Sequence, residues 1–341
     1  MSDASAAPAR PPDQLTTWRP ADRYGFVRRN GARLRYGCWN APGTPRGSVV
    51  LLQGRAEFIE KYSTEVVGEL LDRGFSVFAV DLRGQGLSDR PLPDHDKGHV
   101  DDFDTYIADL EQFLAEIVAP AAPRPVLALS HSTSGNVLLR YLTERGAGPF
   151  AASFCVSPMT GLCQALPIAL LARVLSPFGV RDTAYMAWTG PYDPGHRKFE
   201  GNDVTSDETR YRFTDLWFQA DPRLSLGGPT IGWLKEAQRS IDRLFSPGML
   251  ERISIPLVIM SAAAGGPSAP PLAADFTTKV PTSTTGSPPP PLTFSAMVYT
   301  SMSKSFVVQP SASATWTGCT QDRKFPYNTT IDTPTSDNVT K

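Results

Sequence analysis

The first ordered pattern in the chain is a pair of apolar-rich runs, YGFVRR and ARLRYGCW, separated by Asn30 and Gly31. That dipeptide accepts positive φ at both central positions of a two-residue turn, so the pair predicts a β-hairpin. Beyond it, continuous apolar runs alternate with helical spacing. GSVVLLQG at residues 47–54 predicts a strand, followed by a helix over 63–73 that Gly74 closes. FSVFAVD at 75–81 predicts the next strand. Phe103, Ile107, Leu110, Leu114 and Ile117 then recur at helical spacing behind Asp101 and Asp102, which suit a helix start by capping and dipole. A strand at 125–130, a helix at 136–145 and strands at 151–159 and 255–260 complete the series. Unbroken apolar strands separated by amphipathic helices predict an α/β fold, a mostly parallel sheet covered by helices on both faces.

The alternation fails in three places. Residues 1–18 are rich in Ala and Pro without apolar periodicity, and are expected to be disordered. Residues 160–241 interrupt the sheet pattern and carry Trp188, Trp217 and Trp233, which suggests an inserted, mainly helical cap between a first core part (19–159) and a last recognisable strand (242–264). Those tryptophans could form the cap's own core or an apolar pocket. Residues 265–341 are compositionally distinct, with 11 Pro, 25 Ser or Thr and only 9 charged positions in 77 residues, and neither Glu nor His. Tracts such as PTSTTGSPPPP are unsuited to helix or central strand, so this tail is expected to add nothing to the sheet.

Composition removes several classes of function. Lys and Arg number 33 against 34 Asp and Glu, a net charge of -1, which provides no basic field for nucleic acid. The four cysteines, Cys38, Cys155, Cys163 and Cys319, show no metal-ligand or CxxC spacing, and no secretory apolar segment opens the chain. A soluble, cytoplasmic location is the expectation. No run approaches the roughly 20 apolar residues needed to span a bilayer, so any membrane contact would be peripheral.

The sharpest chemical signal is LALSHSTSGN, in which a strand runs into Ser132 and at once into a helix. A serine on such a turn resembles a nucleophile elbow, usually G-x-S-x-G, with small residues where strand and helix pass closely. Ser130 and Ser134 stand at the glycine positions and Gly135 follows. The plainer reading is that Ser132 caps the helix. Acyl transfer also needs two N–H donors aimed at the oxyanion, and the backbones of Arg55, in QGRAEFIEKY, and Thr133 are the candidates. DLRGQGLSDR, after the next strand, reads on its own as a glycine-permitted turn, since no Lys follows in phosphate-loop spacing.

Together GRAEFIEKY, DLRGQGLS, GHVDDFDTYIADL, SHSTSGN and LGGPTIGWL resemble, in order, the α/β-hydrolases that include bacterial lysophospholipases and monoacylglycerol lipases, over about residues 24–261. The resemblance implies a lipid ester as substrate, no metal or organic cofactor, and a Ser, Asp, His triad with the acid just beyond the strand at 255–260. The chain departs from that pattern. After Ala264 comes Gly265-Gly266-Pro267, and Asp275 is the nearest later carboxylate. All four histidines, His95, His99, His131 and His196, precede residue 197. His131 adjoins the serine but should face away from it, as strand neighbours do; His99 lies in a segment whose family role looks structural, and His196 lies in the cap. A change of reading frame near residue 264 would account at once for the lost resemblance, alternation, charge and histidine supply. A non-catalytic binding module of the same fold is the rival reading, and a related peptidase or haloalkane-type enzyme a third, the latter disfavoured because it needs a carboxylate nucleophile.

Overall fold

The computed structural model describes residues 9, 11–13, 15, 17–162, 181–202, 205, 207–262 and 296–299. The chain divides into two units, Met1–Val307 and Val308–Lys341; the second lies outside the described residues, and the fold is that of the first. Its strands are β1 (Arg23–Arg29), β2 (Ala32–Trp39), β3 (Gly47–Leu52), β4 (Phe75–Val80), β5 (Val126–His131), β6 (Phe150–Val156), β7 (Leu257–Ala262) and β8 (Ala296–Tyr299). Its longer helices among the described residues are α1 (Ile59–Asp72), α2 (Phe103–Phe113), α3 (Thr133–Glu144), α4 (Glu208–Ala220) and α5 (Ile231–Leu244).

The strands form one sheet in the order β1-β2-β4-β3-β5-β6-β7-β8. β2 runs antiparallel to both β1 and β4, and the pairs from β4 through β8 are parallel. The hairpin forms where Asn30 (φ +48°) and Gly31 (φ +80°) both take left-handed backbone. Within β3 and β4 the side chains alternate between two apolar clusters. Val50, Leu52, Phe78 and Val80 pack with α2, α3 and α5, whereas Leu51, Val77 and Ala79 pack with Ile59, Val67 and Leu71 of α1. Both faces of the sheet are therefore covered, which is why these strands read as unbroken apolar runs.

The element bounds differ from the sequence reading in instructive places. α1 begins at Ile59 rather than 63, because Glu60, on its buried side, is neutralised by Arg35 of β2, which also donates to Asp81 (3.2 Å). A buried charge at a core position hid the helix's first turn from periodicity. α3 begins at Thr133 rather than 136. The N-terminal segment, expected to be disordered, is docked at the residues described. Ala9 and Leu15 are buried with Phe58, Trp217, Phe218 and Leu224, the Ala9 N–H donates to Glu60 Oε1 (3.1 Å), and Trp18 packs edge-on against Trp217. Three widely spaced apolar residues suffice for this docking and leave no period to read. The tail, expected to add nothing to the sheet, supplies β8, a short parallel edge strand beside β7. Of the cysteines, Cys38 and Cys155 are buried and free; Cys163 and Cys319 lie outside the described residues.

Candidate active site

β5 delivers Ser132 into α3 through a backbone with φ +51° and ψ -117°. Positive φ is costly for a residue with a Cβ, by roughly 1–3 kcal/mol, and survives only where the surroundings fix it. Here main-chain hydrogen bonds on both sides of the residue do so. The Ser132 N–H donates to the Val156 carbonyl (3.1 Å), and the Ser132 carbonyl accepts from Gly135 (2.9 Å) and Met159 (2.8 Å). The steric demand expected at positions 130 and 134 falls most heavily on Gly135, where a Cβ would stand 2.6 Å from Pro158 Cβ. Ser130 and Ser134 are buried and use their hydroxyls: Ser130 donates to Cys155 Sγ (3.3 Å), and Ser134 donates to the Gln53 carbonyl, tying the elbow to the neighbouring loop.

That loop, 53–57, carries Arg55. Gly54 lies so near the strained serine that a Cβ there would be 3.2 Å from Ser132 Cβ. Thr133 is the first residue of α3, so its N–H precedes the intrahelical ladder. Neither the Thr133 nor the Arg55 N–H meets an acceptor among the described residues. The two N–H groups stand on two segments that both approach Ser132.

What holds the loop was not visible in the sequence. The buried Glu57 carboxylate accepts from the Gly54 N–H (2.6 Å), the Tyr62 hydroxyl (2.6 Å), His131 Nδ1 (2.9 Å) and Lys61 Nζ (2.5 Å). Burial alone would push this carboxyl up; His131 and Lys61 outweigh burial and hold it well below the ordinary carboxylate range. Burial and Glu57 together push the Tyr62 phenol well up. From the other side, Gln85 donates to the Gly54 carbonyl (2.7 Å) and accepts from the Ala56 N–H (3.2 Å). The turn at 83–86 thus braces the loop at 53–57 through Gln85. The available signal was the acid three residues after Gly54 with Lys and Tyr one helical turn on; its partner His131 is too distant in sequence to be paired by spacing.

The histidines are otherwise engaged. His131 bonds Glu57, and His99 is buried between Thr230 Oγ1 (2.7 Å) and Asp101 Oδ1 (3.0 Å), a bridge that fits its structural reading. His95 is exposed, and the side chain of His196 lies outside the described residues, as does Asp275. Among the described residues no group of three or more His, Cys, Asp or Glu could hold a metal ion.

The Arg55 side chain reaches the segment that leads into α5. Its Nη2 donates to the Gly227 carbonyl (2.6 Å) and its guanidinium lies 5.5 Å from the centre of the Trp233 ring. Trp233 is buried against Phe103, and Trp217 is buried between Trp18 and Phe58, so both belong to the core; Trp188 is 96% exposed.

A sheet of this order, with a strained serine between its fifth strand and the following helix, defines the α/β-hydrolase class. The chain belongs to the serine aminopeptidase S33 family, whose sequence profile matches residues 43–285. It is 32% identical over 224 residues to lysophospholipase L2 of Escherichia coli strain K12, and spans 64% of that relative's length with 64% of its own. It is 29% identical over 219 residues to the probable lysophospholipase L2 of Haemophilus influenzae, covering 64% of this chain and 67% of that one. A soluble variant of monoglyceride lipase from Saccharomyces cerevisiae shares the fold with a TM-score of 0.53 at 20% identity, over 75% of this chain and 80% of that one. The family match runs farther into the tail than the motif resemblance, which ended near residue 261.

Proposed function

We propose that this protein is a carboxyl-ester hydrolase acting on lipid monoesters, lysophospholipids or monoacylglycerols, through an acyl-enzyme on Ser132, and that an incomplete triad impairs its activity. The observation that carries the reading is the serine's strained backbone beside two N–H groups, of Arg55 and Thr133, that are left for a ligand. Attack of Ser132 Oγ on the ester carbonyl would place the developing oxyanion against those two donors; the ester C–O bond would break as the hydroxyl's proton passes to the leaving alkoxide, and water would then cleave the Ser132 ester to the free acid and restore the serine. The names of the L2 relatives and the yeast lipase support a lipid ester as the substrate class. The segment at 160–241 is proposed to set acyl-chain preference. No helix among the described residues is long and apolar enough to cross a membrane, and contact with lipid would be peripheral.

The test is a serine-directed fluorophosphonate probe, because covalent labelling needs an activated hydroxyl. Labelling located at Ser132 by peptide mapping and lost in Ser132→Ala supports the hydrolase. A folded protein that does not react supports the second reading, a non-catalytic binding protein. That reading has its own observation, since His131 and His99 are committed to other partners. The compositional break after Ala264 is proposed to reflect a change of reading frame. The nucleotide sequence decides this: another frame should encode an Asp within a few codons and a His farther on, and their absence would end the idea.

A further inference from the structure

The N-terminal segment is fastened to the core at two points and meets α4 between them. The Ala9 N–H donates to Glu60 Oε1 of α1 (3.1 Å). Farther on, the Arg19 N–H donates to the Ser63 carbonyl of α1 (3.2 Å), and the Arg19 carbonyl accepts from Trp39 Nε1 of β2 (2.9 Å). Between these anchors Leu15 is buried with Trp217, Phe218 and Leu224, and Trp18 meets the Trp217 ring edge-on at 5.7 Å. The grip has an electrostatic cause. Glu60 shares the Arg35 guanidinium with Asp81, and all three side chains are fully buried, so one cation faces two carboxylates. Main-chain N–H groups offset the excess negative charge: Ala9 at Glu60, and Ile59 (2.9 Å) and Leu87 (3.0 Å) at Asp81. Pro11 and Pro12 restrict the undocked segment, which leaves it less conformational entropy to lose on docking.

Trp217 is the residue of α4 most deeply engaged by this segment. It is fully buried, its Nε1 donates to Thr64 Oγ1 of α1 (3.2 Å), and its ring lies 6.4 Å from that of Phe58. Withdrawing α4 from α1 therefore breaks the Trp18 contact as well as the direct ones. Phe58 also packs on Phe218 (5.5 Å), and it follows Glu57, the carboxylate that holds the Gly54 N–H beside Ser132. We infer that Ala9, Leu15 and Trp18 strap α4 to α1, and that release of this strap frees α4 and, through Phe58, loosens the loop at 53–57. The strap acts on the position of that loop rather than on bond-making, so it stands apart from the ester-hydrolase reading.

Hydrogen exchange on the full chain, read by mass spectrometry with electron-transfer fragmentation, compares the native protein with Trp18→Ala and Leu15→Ser. In Trp18→Ala the amides of α4 should exchange about tenfold faster, the size of one lost aromatic contact, and those of residues 54–58 should accelerate with them. Leu15→Ser should act in the same direction. The amides of α2 and α3, which pack in a different apolar cluster, should keep their native rates. Unchanged exchange in α4 overturns the strap. So does acceleration of α2 and α3 in step with α4, which is the behaviour of an ordinary core substitution. Faster exchange in α4 with an unchanged loop overturns the coupling through Phe58. If neither variant folds, the native chain still decides. Its Leu15 amide, which donates to the Pro12 carbonyl (3.1 Å), should show the same protection as the amides of α4. A Leu15 amide that exchanges far faster than α4 means that the segment detaches while α4 stays in place, and overturns the inference.

Discussion

Replacing Glu57 by Gln keeps the side chain's shape and removes its charge. The amide oxygen can take the Oε2 position and accept from Gly54, Tyr62 and His131, but each of those bonds loses its ionic partner. Charge-assisted hydrogen bonds are about twice as strong as neutral ones, so three of them lose about 2–3 kcal/mol in total. The Lys61 arm is discounted, because the Lys61 side chain is 35% exposed and screened by water. For a folded portion of this size the loss lowers Tm by about 5–10 °C. Its pH dependence has a definite sign. The native carboxyl is held below its ordinary value of 4.5, so its contribution is complete above that pH and is lost as pH falls through the native value. The stability gap between the native protein and Glu57→Gln should therefore be full near neutrality and narrow below pH 4.5. Denaturant unfolding monitored by tryptophan fluorescence at several pH values measures it. Fluorophosphonate labelling of the variant should also slow, since the Gly54 N–H no longer holds the Arg55 donor in place as firmly. Equal stability at neutral pH, or a gap that widens in acid, would refute the argument.

Three further outcomes are expected. Gly54→Ala puts a Cβ 2.7 Å from Glu57 Oε2 and 2.8 Å from His131 Nδ1, which should cost about 1–3 kcal/mol in denaturant unfolding and slow labelling of Ser132. Ser132→Gly should be more stable than Ser132→Ala by about 1 kcal/mol, because only glycine adopts φ +51° without strain, and neither variant should label. Trp217→Ala, which empties the contact with Trp18 and Phe58, should cost about 3–5 kcal/mol and expose residues 9–18 to limited proteolysis.

The sheet was legible because its strands are buried on both faces, and the elbow because a serine between strand and helix leaves a local signature. The hairpin was legible for an equally local reason: Asn30 and Gly31 carry the positive φ angles themselves. Misread features depend on distant partners. Glu60 breaks the apolar stripe of α1 and is neutralised by Arg35, while Glu57 acquires its meaning from His131. β8 escaped notice because AMVY is too short, and its neighbours too rich in Ser, Thr and Pro, for alternation to register. The tryptophans illustrate the limit of residue type alone. Trp217 and Trp233 are buried in the interior and Trp188 projects into solvent, yet all three fall in one segment of similar composition.

The main-chain bond from the Met159 N–H to the Ser132 carbonyl has a mechanical meaning. Met159 is also held by Asn136, whose side-chain amide donates to its carbonyl (3.1 Å), and Asn136 is in turn fixed by Ser240 of α5 (2.5 Å). The residue at which the alternation of strand and helix stops is thus fastened to the backbone of Ser132. The turn that strains Ser132, the end of β6 and the middle of α5 therefore form one hydrogen-bonded joint, so that a displacement of α5 is felt at the serine's own backbone.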